Sequence, residues 1–226
     1  MSNIIHPTAL IGHNVELGDN NVIGPYTIIE GKVCIGDNNI IGPHVIIGCP
    51  PTDTKHIEIQ FDNPKVLIGN NNEIREFSLI EQPCYEEFTI VGNNVFIMQG
   101  VHLSHDVHIN DRAVITNSSV LAGIVKILEG ANIAMSCSIN QYTIIGQYSI
   151  VATNSACMKN VRPFSRYIPN KPVSVNTYAI KKFGFEKYEE EINAYVLNNE
   201  MVKSPVLVGI INEFEQWVAK YGHATY

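Results

Sequence analysis

An aliphatic residue returns at every sixth position from Val91 through Ile97, Leu103, Ile109, Ile115, Leu121, Ile127, Ile133, Ile139 and Ile145 to Val151, and the small apolar thiol of Cys157 closes the run. Small or polar residues usually follow, as in Val91-Gly92, Leu121-Ala122 and Ile145-Gly146. A period of six fits neither an amphipathic helix, which repeats at about 3.6, nor an alternating strand, which repeats at about 2. It fits a solenoid. In a left-handed parallel β-helix each hexad makes one flat face, the aliphatic side chain enters a triangular core, and three hexads make a coil of about 18 residues. Coils stack at the strand spacing of about 4.8 Å, so residues one coil apart are predicted to lie directly above one another.

The same period opens the chain at Ile5, Ile11, Leu17, Ile23, Ile29, Ile35, Ile41 and Ile47. Glycine often follows, as at Gly24 and Gly42, where a tight corner favours a residue without Cβ. Asp19-Asn20-Asn21 and Asp37-Asn38-Asn39 are corner chemistry, since Asn and Asp tolerate left-handed backbone angles. The hexads then stop twice. Cys49-Pro50-Pro51 and the polar run Thr52 to His56 read as a loop thrown out over 49–66, and Pro83 with Glu86-Glu87 marks a second over 82–89. Insertions project from a solenoid and often build its binding face, so both loops are expected to touch substrate.

After Cys157 the ladder is expected to end in an extended exit through Arg162-Pro163, Pro169 and Lys171-Pro172. From about Asn176 the spacing turns helical: Ile180, Phe183, Tyr188, Ile192, Tyr195 and Val196, with Gly184 as a break. Ser204-Pro205 reads as an N-cap with proline in the first turn, opening a last helix whose apolar stripe is Val208, Ile210, Ile211, Phe214, Trp217 and Val218. The predicted architecture is mainly β, a left-handed parallel β-helix over 1–172 with a short C-terminal α-helical subdomain over 173–226. That subdomain is expected to cover the open end of the solenoid; the rival is that it also contributes to a ligand site.

Composition narrows the function. A net charge of −7 argues against a polyanion-binding surface as the main business. No basic and apolar leader and no run of about 18 apolar residues is visible, so a cytoplasmic protein without an integral membrane segment is expected. Five cysteines, Cys34, Cys49, Cys84, Cys137 and Cys157, show no metal spacing and suit reduced thiols.

Histidine is the side chain best suited to act near neutral pH, and three of the eight lie in Val101-His102-Leu103-Ser104-His105-Asp106-Val107-His108. With Leu103 pointing inward, His102 and His105 are expected on the outer surface. One coil above His105 stands Gly123, and one coil further Gln141. A histidine beneath an unshielded backbone N–H is what acyl transfer needs: one group removes a proton from the attacking atom, the other stabilises the oxyanion. Asp106 can hold the imidazole in the right tautomer. The alternatives are a solvated surface of corner histidines, and a zinc site; the i, i+3, i+6 spacing does not match three ligands drawn from separate coils, and no metal is expected.

Ile74-Arg75-Glu76, Val91-Gly92-Asn93-Asn94, His102-Leu103-Ser104-His105-Asp106 and Leu121-Ala122-Gly123 resemble, in order and spacing, the UDP-N-acetylglucosamine O-acyltransferases that begin lipid A synthesis. The likeness runs from Ile5-His6-Pro7-Thr8-Ala9 through both loops to Asn176 and the stretch from Lys181 to Phe185. It implies His105 as general base, Asp106 as its support, His102 in the sugar site and Gly123 as oxyanion donor. Asp53 and Lys55 match residues that touch acceptor or donor, and Gln141 and Asn176 match retained binding residues. It further implies a homotrimer with active sites between subunits, an acyl carrier protein or coenzyme A thioester as co-substrate, and no further cofactor.

Departures from that family cluster in the recognition shell. Glu81, Ile124 and Asn140 stand where the family has histidines around the sugar and acyl groove, Lys182-Phe183 replaces an arginine pair at the nucleotide, and Tyr178 replaces a glutamate. Thr153 falls where side-chain size sets the acyl pocket's depth, which implies a shorter chain than a glycine would admit. The leading expectation is therefore acyl transfer to a nucleotide-linked sugar, first the 3-hydroxyl of UDP-N-acetylglucosamine. Alternatives are N-acyl or N-acetyl transfer to an amino-sugar nucleotide, and a non-catalytic trimeric hexapeptide protein.

Overall fold

Three parallel sheets wound around one apolar column form the computed structural model of the chain, which describes residues 2–53 and 63–226. Most strands are two residues long, one side chain pointing inward and its neighbour outward, as the pleat requires. Like faces stack in register: Leu103 lies on Leu121, Leu121 on Ile139, and Ile139 on Cys157. The first sheet begins at Ile4–Ile5 and has ten strands, the second begins at Leu10–Ile11 and has eight, and the third begins at Val15–Leu17 and has seven. The period-six aliphatics from Ile23 to Val151 sit in one continuous buried cluster.

Corners between faces use left-handed residues, Asn20 and Asn38 among them, as expected. Asn21 and Asn39 do something else. They point inward with Asn72 as a buried ladder, the Asn39 N–H donating to Asn21 Oδ1 and the Asn72 N–H to Asn39 Oδ1. Gly24 is required by stacking: an added Cβ would fall 2.7 Å from the carbonyl carbon of Gly42 on the next coil.

Both expected loops appear as jumps in register. Asp37 N–H bonds Asn70 across 33 positions and Asn70 N–H bonds Asn93 across 23, whereas the uninterrupted step from Asn93 to Asp111 is 18. One expectation is corrected at the far end. The ladder does not stop at Cys157, because Ile145 bridges Val161 and Val151 pairs with Tyr167. Each of those steps is two positions short of a full coil, so the six-residue phase is lost although the coil continues. Ser174–Val175 then adds an antiparallel strand to that sheet.

The helices also sit differently from expectation. Helices α1 (Thr177–Lys182) and α2 (Glu189–Asn198) pack with Tyr148, Phe164 and Phe185 on the side of the last coils. Helix α3 (Pro205–Tyr221) lies along the third sheet, with Phe214 buried against Leu128 and Ile144, and Trp217, Val218 and Tyr221 beside it. The open end of the solenoid is instead closed by the tail, where Thr225 bridges Asn160 and Tyr226 stacks on Tyr167 at 4.3 Å. Ser204 makes no side-chain cap; its hydroxyl donates to Glu191. All five cysteines are free. Among the described residues no helix is long and apolar enough to cross a membrane.

Candidate active site

His105 and Asp106 occupy the corner between the second sheet, which ends at His102–Leu103 in that coil, and the third, which resumes at His108–Ile109. Asp106 is fully buried and takes the left-handed angle of the corner, with φ +63°. Its carboxylate is held from four sides: Oδ1 accepts from the N–H groups of Cys84 (2.9 Å) and Glu86 (3.0 Å), and Oδ2 accepts from Tyr85 N–H (3.0 Å) and from His105 Nδ1 (2.7 Å). An ionised carboxylate only accepts, so Nδ1 carries the proton and the Nε2 lone pair is left for chemistry. Burial lowers the His105 pKa, but the hydrogen bond and charge of Asp106 outweigh it, and the net shift is upward.

Gly123 stands one coil above, as predicted. A Cβ there would lie 2.3 Å from Cε1 and 2.6 Å from Nε2 of His105. Only glycine lets the imidazole occupy this place. Among the described residues the Gly123 N–H meets no hydrogen-bond acceptor, whereas the neighbouring Ala122 and Ile124 N–H groups donate to Ile139 and His105 carbonyls. The expectation that His105 lies on the outer surface is corrected: it is only 3% exposed, because the corner is overlaid by the 82–89 loop, with the Tyr85 ring 5.5 Å from the imidazole.

Glu81 is the site residue whose importance sequence reading underrated. Its buried carboxylate accepts from His102 Nε2 (3.0 Å), from His105 N–H (3.1 Å) and from the Thr52 hydroxyl (2.6 Å) and N–H (3.2 Å). Burial raises its pKa, yet the bonds from His102 and Thr52 more than offset this and hold it below the ordinary carboxylate value. Glu81 thus ties the start of the 49–66 loop to both histidines. Asp53 lies beside it, meets the Tyr85 hydroxyl and adds negative charge near His105. Lys55 falls outside the described residues.

The remaining expected residues are spread over the prism. Gln141 and Asn140 follow Ile139 on the corner above Gly123, both half-buried. Ile124 is buried on that corner with φ +65°, an unusual angle for a β-branched residue. Thr153 is exposed on the corner between the first and second sheets. Asn176 caps α1 and its Nδ2 donates to the Tyr148 carbonyl at 2.8 Å. Lys182 ends α1 with its ammonium 5.0 Å from the Phe183 ring, and that ring also receives Arg112 at 5.2 Å, at the corner between the third and first sheets. One chain therefore gathers His102, His105, Asp106, Gly123, Glu81 and Asp53, and leaves Thr153 and Lys182 on its other two edges. The backbone clasp on Asp106 and the Tyr85 ring had no sequence signal beyond the loop that carries them.

The fold and repeats define a hexapeptide-repeat β-helix protein. The family model "Bacterial transferase hexapeptide (six repeats)" matches residues 14–49 and 88–123. An acyl-(acyl-carrier-protein)–UDP-N-acetylglucosamine O-acyltransferase of Burkholderia orbicola is 31% identical over 143 residues, 62% of this chain and 53% of its own. The chain thus spans about half the length of that curated relative. Solved structures of the UDP-N-acetylglucosamine acyltransferases of Bacteroides fragilis (26% identity, TM-score 0.78, 99% of this chain and 98% of theirs) and Francisella novicida (27%, 0.64, 97% and 87%) share the architecture over nearly the whole length. In sequence over part of its length, and in fold over nearly all of it, the chain is similar to the UDP-N-acetylglucosamine O-acyltransferases.

Proposed function

We propose that the chain transfers an acyl group from a carrier thioester to a nucleotide-linked sugar, with His105 as general base. The observation that carries this reading is the stack of Asp106, His105 and Gly123: a 2.7 Å bond fixing the tautomer, and a position above the imidazole where only glycine leaves the ring room. His105 Nε2 takes the proton of the acceptor group as its heteroatom attacks the thioester carbonyl. The Gly123 N–H, meeting no acceptor among the described residues, faces the oxyanion of the tetrahedral intermediate. Collapse breaks the C–S bond, and the imidazolium returns its proton to the departing thiolate. No cofactor is needed beyond the thioester, which in this reading is carried by acyl carrier protein in the cytoplasm, where free cysteines persist.

UDP-N-acetylglucosamine is the first acceptor to test, on the strength of the relatives' names. A second reading, transfer to the amine of an amino-sugar nucleotide, draws support from the buried Glu81 carboxylate and from Ile124, which put charge and apolar bulk where the family has histidines. A trimer accounts for two features. Thr153 and Lys182 reach a site only if neighbouring copies bring other edges to His105, and exposed apolar side chains (Ile4, Leu10, Val22, Ile40, Phe77, Val120) line the first and second faces and their shared corner.

The test is mass spectrometry of products from UDP-N-acetylglucosamine with 3-hydroxyacyl carrier proteins of several lengths, beside amino-sugar nucleotides with acetyl-CoA. An acylated UDP-N-acetylglucosamine supports the first reading. Product from the amine arm alone transfers the assignment to the second, and no product in either arm removes both.

A further inference from the structure

Lys126 is among the largest of the fully buried side chains, and an ammonium in such a place must be paired in every direction. Its outward position on the third sheet should face solvent, but α3 covers it. Nζ donates to Glu86 Oε2 at 2.5 Å and to the main-chain carbonyl of Asp106 at 2.9 Å, and its remaining side faces the rings of Trp217 (5.4 Å) and Tyr221 (5.8 Å). Glu86 in turn accepts from Lys220 Nζ (2.9 Å) and the Tyr221 hydroxyl (2.5 Å), and His108 Nε2 lies 3.4 Å away. The same Glu86 gives its own N–H to Asp106 Oδ1. Lys126 therefore grips the dyad twice, once on the carbonyl of Asp106 and once on the side chain of a residue whose backbone binds the Asp106 carboxylate.

We propose that Lys126 is a positioning residue for the His105–Asp106 pair, acting through the Asp106 carbonyl and through Glu86 on the turn that clasps the Asp106 carboxylate. Its effect on turnover rests on the reading of His105 as base; its effect on the imidazole does not. The charges facing the two groups make the sign of the effect diagnostic. His105 is faced by Asp106, Glu81 and Asp53; Lys126 is faced by Glu86, Lys220 and Asp106, with His108 beside Glu86. Deleting a cation near His105 raises its pKa by charge alone. Loosening the clasp weakens the Asp106 bond that holds the pKa up, and so lowers it.

The experiment is an NMR titration of the histidine rings in the intact protein without substrate, with His105→Gln to assign the resonance. Lys126→Met is compared with wild type and with Asp106→Asn. The proposal predicts that the His105 midpoint in Lys126→Met falls by about half a pH unit or more, in the same direction as in Asp106→Asn. A midpoint that stays or rises in folded Lys126→Met overturns it. Should that variant not fold, Glu86→Gln cuts the same link from the other side, and amide exchange of Cys84 and Tyr85 reports the clasp directly. Faster exchange at those two amides with the coils unchanged supports the proposal, and unchanged protection overturns it. A shifted midpoint in a protein whose wild type turns over no thioester would remove the acyltransferase reading and leave the positioning role standing.

Discussion

Gly123→Ala tests the active-site geometry with one methyl group. The backbone angle at Gly123 is one any residue can adopt, so the substitution brings no φ strain and keeps the N–H. The added Cβ arrives 2.3 Å from His105 Cε1, where carbon atoms in contact sit about 3.5–4.0 Å apart. The ring must retreat by about 1 Å. It cannot slide along its own plane at no cost, because Nδ1 is tied to Asp106 at 2.7 Å and Tyr85 flanks it. A displacement of about 1 Å at a general base is worth roughly 10² in rate, while overpacking at one buried corner costs about 1–3 kcal/mol in stability. The assay is kcat for thioester consumption beside a thermal melt and the His105 ring resonance. A loss of about 10² in kcat in a folded protein, with a moved His105 signal, is expected. Full activity with a wild-type ring signal would refute the placement of the imidazole under Gly123.

Three further outcomes follow from the same geometry. A base must be neutral to act, and the His105 pKa is raised above 6.5, so kcat/KM should climb with pH through a midpoint above that value; Asp106→Asn should move the climb to lower pH and cut kcat by about 10²–10⁴. The docking of α3 should be lost in acid: Glu86 titrates at about 2 in the fold against 4.5 free, and His108 at about 4 against 6.5, so both contributions are present at neutral pH and fade as pH falls, from about 6.5 to 4 for His108 and from about 4.5 to 2 for Glu86. Trp217, the only tryptophan, packs against His108 at 5.8 Å and should report that release as a red-shifted emission; an unshifted spectrum down to pH 3 would count against it. In the core, Leu103→Ala should cost about 2–5 kcal/mol by chemical denaturation, since Leu103 is fully buried between Ile80 and Leu121.

The hexad period made the coils, their register and the His105–Gly123 stack legible, because a solenoid turns sequence spacing into adjacency. Where the spacing changes, legibility fails. Tyr167 takes a core place two positions early, and an aromatic set between Pro163 and Pro169 gives no sign that a coil continues. Lys126 reads as an outward surface lysine until Trp217 and Tyr221 of α3 lie over it. Glu81 stands out in the sequence as a departure, but its four bonds come from segments that only the fold brings together. Thr153 and Lys182 lie on edges away from His105, where the periodicity of one coil places them but gives them no role.

The most direct measurement is a single-turnover reaction of purified protein with an acyl thioester and UDP-N-acetylglucosamine, run in parallel with His105→Ala and followed by mass spectrometry of the nucleotide sugar. The account predicts acylated sugar from the wild type and a rate lower by about 10² or more from the variant. Equal rates from both, with product formed, would contradict the assignment of His105 as the base.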